Sequence, residues 1–121
     1  MIKTLAASAL AITLLVPGIQ AGEAEIVRAS AVNTGSGWTF EVTLLHDDTG
    51  WEHYADAWRV VGEDGTIYGE RVLLHPHETE QPFTRSLSGV SIPDDVTTVS
   101  IEAKDNVHGW ATTKYKIELI P

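Results

Sequence analysis

The sequence predicts an all-β protein, an immunoglobulin- or fibronectin-like β-sandwich of about seven strands. Apolar and polar residues alternate with a period of two along most of the chain beyond residue 24, the pattern of strands with one buried face. Turn residues recur at spacings of roughly ten residues, as in small sandwiches. No window carries the apolar period of a helix of useful length.

The N-terminus reads differently from the rest. MIK is a short positive start, LAASALAITLLV an apolar run, and PGIQAGEA a breaker followed by small residues. These are the three parts of a secretory signal peptide, expected over residues 1–21, with cleavage after Ala21 or as late as Ala24. The run falls short of the about 20 apolar residues that span a bilayer. No cysteine follows it, so no cysteine-linked lipid anchor is expected. Residues 22–121 are expected to form a single domain, periplasmic or secreted, with no membrane association once the leader is removed.

The strands follow in order. EIVRASAVN is the first of the mature chain, closed by the turn cluster NTGSG. In GWTFEVTLLH, Trp38, Phe40, Val42 and Leu44 share one face. YADAWRVVG and TIYGERVLLH are joined by EDGT, whose Asp64-Gly65 is a hairpin dipeptide. PFTRSLSGVSI is a strand interrupted near Gly89, and VTTVSIEAKD places Val99, Ile101 and Ala103 on one face. The last strand, TTKYKIELI, alternates Tyr115, Ile117 and Leu119 with charged residues. A small barrel is the alternative closure of the same strands.

Composition narrows the function. There is no cysteine, and the single methionine is Met1, in the leader. An exported domain of this size without disulfides is expected to bury a workable core unaided, and fits a bacterial periplasmic protein better than an animal one. Without Lys3 the chain carries seven basic and seventeen acidic side chains, a balance that disfavours nucleic acid and anionic lipid and favours cationic or metallic ligands and basic partners. The same acidity also serves solubility alone.

The histidines are the most informative residues. If each strand crosses the sandwich once, His46, His53, His75, His77 and His108 all fall at one end, with Asp47, Asp48, Glu52, Glu78, Glu80 and Asp105. Loops at one end are where sandwiches carry their binding function. In LLHPHETEQPFTRS, Pro76 holds His75 extended, and residues i and i+2 of an extended segment share a face at roughly 6.5 Å. Two imidazoles so spaced can converge on one ion. With no thiolate or thioether available, Cu(II) or Zn(II) is the expected metal. His75 and His77 form the core of this expected site, His53 and His108 complete it, and His46 is an optional further ligand. Each also has an ordinary structural reading: His46 continues the inward face of its strand and is expected to be buried and hydrogen-bonded, while the others sit in turns. A cluster without metal would instead be a protein-binding end, with Trp51, Trp110 and Glu78 as contacts and histidine protonation as a switch.

Trp38 and Trp58 alternate with core positions, whereas Trp51 and Trp110 belong to loops of the histidine end, as a lid or as ligand contacts. Catalysis is not expected: Ser86 and Ser88 lack a nucleophile-elbow context, and no glycine-rich phosphate loop appears. The stretches WEHYADAWRV, LLHPHETEQPFTRSLSGV and VHGW resemble a group of small uncharacterised exported proteins of proteobacteria, over roughly residues 51–110. That resemblance implies an exported β-domain and no activity. The sequence thus points to an exported sandwich that carries or sequesters a divalent transition metal, with a periplasmic protein adaptor as the rival reading.

Overall fold

The structure, a computed structural model, describes residues 22–120; the expected signal peptide lies outside them. Eight strands form: β1 (Glu25–Asn33), β2 (Trp38–Leu45), β3 (Ala55–Gly62), β4 (Ile67–Val72), β5 (Phe83–Val90), β6 (Thr98–Asp105), β7 (Gly109–Trp110) and β8 (Tyr115–Glu118). One sheet has the order β1-β2-β5 and the other β4-β3-β6, with β7 and β8 both paired to β6, and every pairing is antiparallel. This is a β-sandwich of the expected class. Its eighth strand is the two-residue β7, which continues the edge that β8 occupies. No helix among the described residues is long and apolar enough to cross a membrane.

The inward faces are the ones the alternation marks. Phe40, Val42 and Leu44 of β2 are fully buried, as are Trp58 and Val60 of β3 and Val99, Ile101 and Ala103 of β6. Phe83 and Val90 close the same core from β5. A side chain such as Phe40, buried in a packed interior, costs about 3–5 kcal/mol to truncate to alanine. Between Trp38 and Phe40 the β2–β5 register slips, and Gly89 supplies the positive φ (70°) of that irregularity. The interruption read from the sequence is therefore a bulge inside a continuous strand.

The antiparallel pairings confirm the crossing count. The loops 46–54, 73–82 and 106–108 lie at one end, and side chains stitch them together. Asp48 Oδ1 accepts the Ala55 amide and its Oδ2 accepts the His77 amide. The Gln81 side chain accepts from His46 N and donates to the His77 carbonyl, while Asn106 accepts from Tyr54 N and donates to the Trp51 carbonyl. At the other end a cleft of about 130 Å³ is lined by residues including Trp38, Ile92, Val96 and Leu119, small beside the roughly 300–1,000 Å³ of ordinary ligand pockets.

Candidate metal centre

Two carboxylates anchor the histidine end, and both are buried. Asp105, at the last position of β6, is fully buried, and Asp48 is 5% exposed. An ionised carboxylate withdrawn from water needs partners. Asp105 Oδ1 accepts the amides of Val107 and His108 at 2.8 Å each, and the His108 ring lies 3.1 Å away through Nδ1. Burial alone would push the Asp105 carboxyl up; the His108 and Val107 amides and the His108 ring outweigh it and hold the group below its ordinary value.

His46 stands between the two acids. Its Nδ1 lies 2.5 Å from Asp48 Oδ1, its Nε2 2.9 Å from the Gly22 carbonyl oxygen and 4.0 Å from Asp105 Oδ2. The ring is buried and hydrogen-bonded, as its place on the inward face of β2 led us to expect. His53 packs edge-on against it, ring centroids 4.7 Å apart, with His108 5.1 Å beyond His53. His53 Nε2 lies 3.2 Å from Asp105 Oδ1, yet the atom is buried and makes no hydrogen bond.

One ligand atom each from His46, His53 and Asp105 falls within 4.8 Å of the others. Two imidazole nitrogens and a carboxylate oxygen, with His108 at the same carboxylate, match the donor set of a Zn(II) or Cu(II) site. The buried His53 Nε2, which meets Asp105 Oδ1 without the geometry of a hydrogen bond, fits a ligand position, because a buried polar atom lacking a hydrogen bond is costly unless something binds it. Asp48 on His46 Nδ1 fixes the orientation of the ring and leaves Nε2 facing the Gly22 carbonyl and the group of three.

His75 and His77 do close on each other, with ring centroids 4.6 Å apart, but they are not part of that group of three. His77 is 5% exposed, stacks on Phe83 at 3.9 Å, and its Nε2 accepts from Arg85 Nη2 at 2.9 Å. Burial, Arg85 and His75 lower its pKa from the ordinary 6.5. His75 is exposed, its Nδ1 3.0 Å from the Pro76 carbonyl. The pair instead meets the group of three only indirectly, through the His77 amide on Asp48, which in turn holds His46.

The remaining candidates spread out. Trp51 is 64% exposed and meets Tyr54 edge-on, so it covers none of the core. Trp110 lies under the Arg59 guanidinium at 3.7 Å, on the outer face of the larger sheet. Glu78 is exposed in the β4–β5 loop. Asp105 was legible only as one of several carboxylates at this end. Gly22 carried no signal beyond its place at the expected cleavage point.

The chain is similar to a protein of Halomicrobium mukohataei that bears the name "Putative lipoprotein", with 40% identity over 89 residues, 73% of this chain and 43% of the relative. The chain thus spans less than half the length of that relative. The relative is archaeal, and it lends no support to a proteobacterial grouping. No family model matches the chain, and no solved structure matches it.

Proposed function

We propose that this is an exported β-sandwich that binds one divalent transition metal ion, Cu(II) or Zn(II), at the end of the sandwich where His46, His53 and Asp105 meet, for metal carriage or sequestration. The convergence of those three ligand atoms within 4.8 Å carries the reading. His108 stands at the edge, its side chain 35% exposed against the same Asp105, and is the side chain of this cluster that solvent or a partner reaches first. Export is supported by the leader-like N-terminus and by the name of the archaeal relative. The reading is one of binding without catalysis.

The metal content of residues 22–121 after dialysis against Cu(II) or Zn(II) tests this. One ion per chain is expected for the natural sequence and none for His53→Ala, with the far-ultraviolet circular dichroism unchanged. Equal metal content in both would overturn the assignment.

The rival, a protein-binding end, has its own support. Trp51, Leu74 and Val107 are 64%, 76% and 57% exposed on three loops of the metal-binding end, and exposed apolar side chains are what a partner covers. A partner retained in the presence of a chelator, and lost with Trp51→Ala, would favour this role over metal carriage.

A further inference from the structure

The segment ahead of β1 is built into the metal centre. The Gly22 carbonyl faces His46 Nε2 at 2.9 Å. Gly22 has a φ of 88°, and a Cβ there would stand 2.7 Å from Cε1 of His108. Only glycine meets both demands without strain. The next residues are anchored as well: Glu23 Oε1 accepts from Thr112 N and Oγ1 at 3.3 and 3.1 Å, and Ala24, 2% exposed, belongs to the core.

These contacts discriminate between the two cleavage points. A cut after Ala24 removes the residue that meets His46 and packs beside His108, an anchor on Thr112 and a core methyl group. A cut after Ala21 keeps all three and turns the Gly22 nitrogen into an α-amine. That nitrogen is about 1.46 Å from the Gly22 Cα. An α-amine and the carbonyl oxygen of the same residue can close a five-membered chelate ring on one ion, and here the carbonyl oxygen is the atom already beside His46. A neutral amine is a nitrogen donor of the kind that suits Cu(II) and Zn(II).

We propose that the leader is removed after Ala21 and that the α-amine and carbonyl of Gly22 join His46, His53 and Asp105 as ligands to the metal. This rests on the metal-binding reading above and adds to it a ligand that exists only after processing. The unprocessed chain then binds metal weakly, and full affinity appears only after export.

Two measurements test it. The full chain, exported with its own leader by a Gram-negative host, is purified and its N-terminus read by intact mass. Gly22 is expected first; any other first residue overturns the proposal. Protein beginning at Gly22, the same protein N-acetylated, and protein carrying Ala21 ahead of Gly22 are then titrated with Cu(II) and Zn(II) against a chromophoric chelator, beside His53→Ala. Both blocked forms are expected to bind at least about tenfold more weakly than the Gly22 form. Equal affinity in all three, with the site still lost in His53→Ala, overturns the amine ligand and leaves the metal centre standing. Absence of one-to-one binding in the Gly22 form overturns the metal centre and this proposal together.

Discussion

Single side chains at the histidine end do different work according to what each nitrogen faces. Asp48 receives the His46 ring and the amides of Ala55 and His77. Truncating it leaves those donors unmatched, at about 1–3 kcal/mol for a buried unsatisfied group and more in sum. Asp48→Ala is therefore expected to lower the denaturant midpoint by several times what Asp47→Ala does, since Asp47 is exposed. His77 differs in kind. Its folded pKa lies below 6.5 because burial, Arg85 and His75 disfavour the charged ring, so the unfolded chain binds more protons. The stability it contributes is complete above about pH 6.5 and falls as the pH drops from 6.5 toward the lower folded value. Denaturant midpoints between pH 7.5 and 5 should fall less steeply in His77→Gln than in the natural chain; identical slopes would remove His77 from the acid response.

Among the elements, the central strands carry the fold, and the loop after β2 and the end of β6 carry the candidate site. Strand identity was legible because alternation marks an inward face wherever a sheet has one side buried, as with Phe40, Val42 and Leu44 or Val99, Ile101 and Ala103. β7 was not, because two residues hold no period. The composition of the site was less legible. The i, i+2 spacing of His75 and His77 correctly implied rings on one side, but it could not show that Phe83 and Arg85, eight residues or fewer along the chain, occupy the second ring. His46 read as a core residue and is one, yet it also faces the candidate site. On the outer sheet face, burial pushes the Glu102 carboxyl up, while Arg59 and Lys114 at 2.7 and 3.1 Å more than offset it. Its folded pKa is depressed below 4.5, so its stabilisation is present above that pH and is lost as the pH falls through the lower folded value. Glu102→Gln should cost about 1–3 kcal/mol at pH 7 and progressively less below pH 4. A constant difference across that range would show that the pairs contribute nothing.

For the molecule as a whole, the proposed metal ion would be a source of stability separate from the disulfide-free core. A ligand held only by the folded chain at 100 times its Kd adds about 2.7 kcal/mol, and for a domain of this size that raises the melting temperature by roughly 10 °C or more. The rise is expected with Zn(II) for the natural chain and should vanish in His53→Ala, while His75→Ala keeps it. The strongly acidic surface, with a net charge of −9 for the full sequence, favours the approach of a cation over that of an anionic partner.

The most direct test of the proposed site asks whether an added ion binds at His46 and His53 or at His75 and His77. Long-range proton–nitrogen correlation spectra of uniformly ¹⁵N-labelled protein, followed through a Zn(II) titration, address the ring nitrogens one by one. Nε2 of His46 and of His53 are expected to shift and saturate at one equivalent, with the rings of His75 and His77 unmoved. Saturating shifts on His75 and His77 with His46 and His53 unchanged, or no saturation on any ring, would contradict the proposed site.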